Sequence, residues 1–240
     1  MKEDHFLFFV EELTLNTVYL SESETHHAAS VLRANPGDLL SATDGKGMIF
    51  TCKIDTIDKD RIAATIIEKK QIVRTGYDIT LFIGLPDRDI FEQMIIDLTA
   101  LGVARISPVI SQNCRKPWWE KWEKFEGRFK EKMISAIKQS LNGFLPVLDK
   151  PVRLKDIPEN IESPCFVADR NGIPLVKIMN HNSKLKINCF VGPPGGFSEN
   201  EMDRFEKPGY QFVKIASNRL RTELASVVLV SQIAAFSVCQ

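Results

Sequence analysis

The pattern of apolar and polar positions changes character about a third of the way along the chain. Up to Arg74 the apolar residues fall in short, partly alternating stretches rich in β-branched side chains, over residues 18–20, 39–42, 48–57 and 61–68. Such stretches read as strands. Turn signals separate them: Asn35-Pro36-Gly37-Asp38, Thr43-Asp44-Gly45-Lys46-Gly47 and Asp58-Lys59-Asp60. Residues 23–32 are the exception and predict a short helix. Short strands at regular spacing predict a small barrel over residues 1–74. Beyond Gly76 the period lengthens. Strands are predicted at 78–85, 104–110, 165–168, 187–191 and 212–215, with helices at 90–101, 118–141 and 222–238. In the long helix, Phe125, Phe129, Met133, Ala136 and Ile137 recur at three- and four-residue intervals. Strands alternating with helices make a mostly parallel sheet covered on both faces, here over residues 75–240.

Two junctions in this second region carry the chemistry. At Phe190-Val191-Gly192-Pro193-Pro194-Gly195-Gly196-Phe197-Ser198, a strand runs through a glycine-rich turn into a helix, with Ser198 and Glu201 spaced as a capping box. At Lys214-Ile215-Ala216-Ser217-Asn218-Arg219-Leu220-Arg221-Thr222-Glu223, a strand ends, a short loop follows, and Thr222 stands where a cap would start the last helix. Ligands of open α/β sheets sit outside the carboxyl ends of strands, against such turns. The glycine spacing fits neither the dinucleotide nor the nucleoside-triphosphate fingerprint. The two loops are expected to lie side by side and share one ligand. Read separately, either is also compatible with a tight structural turn or a plain helix start.

Composition narrows the partners. Lys and Arg total 31 and Asp and Glu total 31, so any nucleic-acid contact rests on a local basic patch. Candidates are Arg33, Lys69, Lys70, Arg74, Arg115, Lys116, Lys121 and Lys124. Trp118, Trp119 and Trp122 suit base stacking or, more commonly, packing. Five scattered cysteines with no CxxC, and a lone His26-His27 pair, argue for free thiols in a reducing cytoplasm and against a metal site. No apolar run reaches membrane-spanning length, and the acidic start lacks the pattern of a secretion signal. The final helix is apolar nearly all round, from Leu224 through Val227, Val228, Leu229, Val230 and Ile233, which points to a two-fold dimer or to complete burial.

Taken together, Gly192-Pro193-Pro194-Gly195-Gly196 and Leu220-Arg221-Thr222-Glu223-Leu224-Ala225 resemble the motifs of the RsmE-type 16S ribosomal RNA methyltransferases, in the knotted SPOUT superfamily. Val31-Leu32-Arg33 with Gly37-Asp38, Leu101-Gly102-Val103, and Ala136-Ile137-Lys138-Gln139-Ser140 before Leu145-Pro146 extend the resemblance over nearly the whole chain. The chain departs from the family at Pro194, where a Glu is usual, at Ile215-Ala216 in place of Leu-Gly, at Leu224 in place of Thr, and at the acidic Asp87, Asp89 and Asp97.

The resemblance implies a PUA-like RNA-binding barrel followed by a trefoil-knot methyltransferase domain, a homodimer, and methylation of N3 of one uridine in the small ribosomal subunit. It implies S-adenosylmethionine as cofactor, held by Ala168, Gly192, Pro193, Pro194, Gly195, Gly196, Ile215, Ala216, Leu220 and Thr222. It also implies Arg221 as the residue stabilising the substrate, with Glu223 orienting Arg221 or taking the proton. Arg33, Arg74 and Arg219 are expected to hold RNA. The Ala216 methyl is expected to crowd the cofactor. A ribosome-binding assembly protein with weakened catalysis, or a methyltransferase of another RNA, remains the alternative.

Overall fold

The computed structural model describes residues 6–74, 76–115, 117–179 and 186–238, so Lys116 and Cys239 lie outside the described residues. The chain forms two compact units: Met1–Arg74 with Ile134–Leu145, and Thr75–Met133 with Pro146–Gln240.

In the first unit, β1 (Leu7–Phe9), β2 (Glu12–Leu13), β3 (Thr17–Leu20), β4 (Leu39–Thr43), β5 (Met48–Ile57) and β6 (Ile62–Gln71) form one sheet, with α1 (Glu22–His26) between β3 and β4. The strand order is β1-β4-β5-β6-β3-β2. Its two edge strands, β1 and β2, are separated by only Val10 and Glu11. The three steps from Phe9 to Glu12 span at most about 11 Å, so the sheet must curl to bring its edges close. Phe8, Val18, Leu20, Phe50, Ile54 and Ile62 fill the interior. The predicted helix over 23–32 is split: α1 gives way to a wide turn over His27–Val31, closed by the Leu32 amide on the His27 carbonyl. His27 packs edge-on to Phe6 and Phe8.

Residues 134–145 join this unit through contacts that strand patterning does not reveal. The Gly143 carbonyl accepts the Gly47 amide at 2.9 Å and the Thr43 hydroxyl at 3.2 Å. Lys138 Nζ lies 2.7 Å from the buried Glu24 carboxylate.

The second unit contains β7 (Asp78–Gly84), α2 (Arg88–Ala100), β8 (Arg105–Ile110), α3 (Glu126–Gln139, ending in the first unit), β9 (Val147–Leu148), β10 (Val152–Arg153), β11 (Cys165–Pro174), β12 (Lys186–Val191), α4 (Glu199–Glu206), β13 (Gln211–Lys214) and α5 (Thr222–Val238). Its sheet is parallel throughout, in the order β10-β8-β7-β12-β11-β13, with β9 pairing β8. Every strand therefore ends on the same rim. The long predicted helix is two elements. Residues Trp118–Lys124 wind as a 3-10 helix with Lys121 off helical geometry, and α3 starts afresh at Glu126. The winding gathers Trp118 and Trp122 onto Phe91 and Phe129. Trp118 Nε1 also donates to the Pro86 carbonyl at 2.9 Å. Two of the three tryptophans are thus packing anchors.

Burial with Asp55 nearby pushes the Cys52 thiol up from 9.0 to about 12. The raised value favours the neutral thiol in the fold, so its stabilisation is complete below about pH 9 and is lost as pH rises towards 12. The melting temperature is expected to fall above about pH 9, and Cys52→Ala to flatten that fall in a pH series of thermal unfolding.

Candidate active site

The site begins with an irregularity in β11. Ala168 and Ile173 both stand opposite Val213 of β13, so residues 169–172 are looped out of register. Asp169 Oδ1 holds that excursion by accepting the Asn171 amide at 2.7 Å. At Gly172 the loop returns so close to β13 that a Cβ would sit 2.5 Å from the Phe212 carbonyl oxygen. An excursion of four residues at a sheet rim re-aims side chains, as smaller bulges do, and such irregularities commonly mark a functional site.

Between this excursion and the loop after β13 opens a cavity of about 290 Å³, near the low end of small-molecule sites. Ala168, Ile215, Ala216, Leu220 and Ala225 give it apolar walls, and Asp169, Arg170, Asn218 and Arg219 add polar groups. Among the described residues, the amide N–H groups of residues 216–220 make no hydrogen bond within the protein. A polar group left unpaired at a rim is a ready donor for a ligand with ring nitrogens and hydroxyls. These features fit an adenosyl group. The Ala216 methyl is part of the wall and leaves the cavity open.

Of the predicted ligand-binding residues, Ala168, Ile215, Ala216 and Leu220 meet here. Gly192, Pro193, Pro194, Gly195, Gly196 and Thr222 do not line the cavity. Nor do the two loops follow neighbouring strands, because β11 lies between β12 and β13. They meet because the chain after β13 crosses the end of β11. Thr222 completes that crossing: its hydroxyl donates to the Gly192 carbonyl at 2.9 Å, so it ties the loops together and does not cap α5. Arg219 Nη2 approaches the Pro194 carbonyl at 3.5 Å, and Gln232 of α5 donates to the Ile215 carbonyl at 2.8 Å.

The glycine turn is fixed from its other side as well. Gly196 donates to the Pro193 carbonyl at 2.7 Å, and Asn113 Nδ2 donates to the Gly196 carbonyl at 3.0 Å. Pro193 is packed against the end of β7, where a Cβ on Gly84 would collide with its ring nitrogen. Glu201 closes the capping box on the Ser198 amide at 2.9 Å and also accepts the Gln112 amide at 2.9 Å.

Arg221 is exposed, and among the described residues its guanidinium makes no hydrogen bond or ion pair. Glu223, half-buried, is likewise unpaired, so the expected Arg221–Glu223 contact is absent. In the first unit, Arg33 is exposed with φ of 54°, while Arg74 lies over the Phe144 ring at 4.5 Å. The sequence reading missed Asp169, Arg170 and Asn218. The Asp-x-Asn spacing before Gly172 was the available signal, but it reads as an ordinary turn.

Comparison with known proteins finds two matching domains. Residues 74–234 match the RNA methyltransferase domain and residues 20–67 the RNA methyltransferase PUA domain. Ribosomal RNA small subunit methyltransferase E of Aquifex aeolicus is 32% identical over 94% of this chain and 97% of its own length. The Synechocystis protein of the same name is 26% identical over 93% of this chain and 74% of its own. The crystal structure of a ribosomal RNA small subunit methyltransferase E from Neisseria gonorrhoeae, bound to S-adenosyl methionine, superposes with a TM-score of 0.84. It is 27% identical and covers 96% of this chain and 97% of its own. Among the described residues no cluster could hold a metal ion, and no helix is long and apolar enough to cross a membrane.

Thr222→Val keeps the side-chain volume and removes the tie to Gly192. It is expected to cost about 1–3 kcal/mol in denaturant unfolding, because the Gly192 carbonyl loses its partner in a part-buried setting.

Proposed function

Since the chain belongs to the RNA methyltransferase family, with a PUA domain ahead of its trefoil-knot α/β domain, we propose that it methylates N3 of a uridine in 16S ribosomal RNA, using S-adenosylmethionine. The observation that carries this reading is the rim cavity: unpaired amides over residues 216–220 beside the unpaired guanidinium of Arg221. The amides read the flat adenine and the ribose, while Ala168, Ile215 and Leu220 cover the apolar faces. When bound, the cofactor supplies a methyl on an already activated sulfonium, so no metal is required.

The remaining task is the weakly acidic N3–H of uracil. Arg221 supplies a planar fork of donors to O2 or O4 and so favours the N3 anion. Arg219, reaching over the glycine turn, holds a flanking phosphate. Glu223 does not pair with Arg221, which leaves it the other role open to it, acceptor of the N3 proton. Arg33 contributes to RNA binding from the PUA domain, and Arg74 does so with its guanidinium stacked on Phe144. The half-exposed Leu224 and the nearly unbroken apolar surface of α5 support a homodimer. Free cysteines support a reducing cytoplasm as the site of action.

Arg221→Ala is expected to leave folding and S-adenosylmethionine affinity within about twofold of wild type and to lower methyl incorporation into small-subunit RNA by about 100-fold or more. Unchanged turnover would remove Arg221 from the mechanism. No cofactor binding in calorimetry of the wild-type protein would replace the enzyme with the assembly-protein reading, which Pro194, Asp97 and the missing basic residues favour. Glu223→Gln is expected to abolish the acidic limb of the pH–rate profile, and a profile of wild-type shape would exclude it as the base.

A further inference from the structure

The same rim carries a second, larger cavity of about 450 Å³ at the other wing of the sheet, where β8 and β10 end beside the start of α4. Arg153, Lys155 and Lys207 surround it. All three are exposed, and among the described residues none of their side chains makes a hydrogen bond or ion pair. Two carboxylates also line the cavity, and both are already engaged. Glu159 holds Arg204 Nη1 at 2.8 Å, while Arg204 Nη2 donates to the Ile157 carbonyl at 2.6 Å. Glu201 spends both oxygens on the amides of Ser198 and Gln112. Neither acid pairs with any of the three cations. The side chains of Gln112 and Asn200 complete the lining with further amide donors.

We propose that this cavity binds consecutive phosphates of the RNA strand that presents the target nucleotide to the first cavity. The proposal rests on the ribosomal RNA reading above and adds to it where the strand runs. Three unpaired cations with amide donors, beside acids that already have other partners, favour a polyanion over a small neutral ligand. The glycine turn forms the bridge between the two cavities: Arg219, which lines the first, touches Pro194, and the turn ends at Ser198, which lines the second. From β8 to β11 there are three strand spacings, roughly 14 Å, so the two cavities can be reached by nucleotides of one continuous strand. This arrangement gives a chain of balanced net charge the local field that nucleic-acid binding requires.

The experiment compares wild type with the triple variant Arg153→Ala, Lys155→Ala, Lys207→Ala, measuring affinity for a small-subunit RNA fragment against salt concentration. Three lost phosphate contacts to a single strand should make the log–log salt slope shallower by about 2. S-adenosylmethionine affinity and the melting temperature are expected to stay at wild-type values, with KM for RNA raised and kcat nearly unchanged. A wild-type slope and affinity in the variant would overturn the second cavity while leaving the methyltransferase reading intact. Absence of salt-dependent RNA binding by the wild type would overturn both.

Discussion

The hydrogen bond from the Thr222 hydroxyl to the Gly192 carbonyl is the constraint on which the candidate site depends. In the parallel sheet, β12 and β13 are not neighbours, so the turns that follow them have no reason of their own to meet. The segment after β13 must cross the end of β11 to reach the glycine turn, and it then has to stay there. Thr222 is buried at the point of contact, where a hydrogen bond is worth more because losing it would strand a carbonyl out of water. Gln232 adds a second tie from α5 to the Ile215 carbonyl. Once the crossing is fixed, the excursion at residues 169–172 supplies the opposite wall, and the cavity follows.

The glycine turn is likewise fastened on several sides, although none of Gly192–Gly196 lines the first cavity. It is held from below by the close approach of Pro193 to Gly84, from one side by Asn113, and at its exit by Glu201. Glu201 is both a capping group and a link to the loop after β8, because its second oxygen accepts the Gln112 amide. A turn fastened on several sides stands between the two cavities. That division matches the chemistry: apolar walls and free amides on one side, unpaired cations on the other.

Particular elements show how far the sequence could be read. Local period and turn chemistry were enough for β7, β8, β12, α2 and α5, and the capping box at Ser198 and Glu201 is present as written. The helix over 118–141 was misread because three tryptophans close together look helical in spacing. Their bulk is instead accommodated by 3-10 winding around Phe91 and Phe129. β1, β2, β9 and β10 went unseen because strands of two or three residues are too short for any period to register.

By itself, the sequence determined the change from short strands to alternating strands and helices, the rim position of both loops, and the residue types available there. These depend on local periodicity and on backbone conformations that neighbouring residues set. Only the tertiary structure decided that Thr222 ties and does not cap, that Arg221 and Glu223 stand apart, and that Asp169 and Arg170 enter the cavity. Those outcomes depend on which strands lie side by side and where β11 leaves register. Such facts arise from packing between segments distant in the chain, which no local pattern encodes.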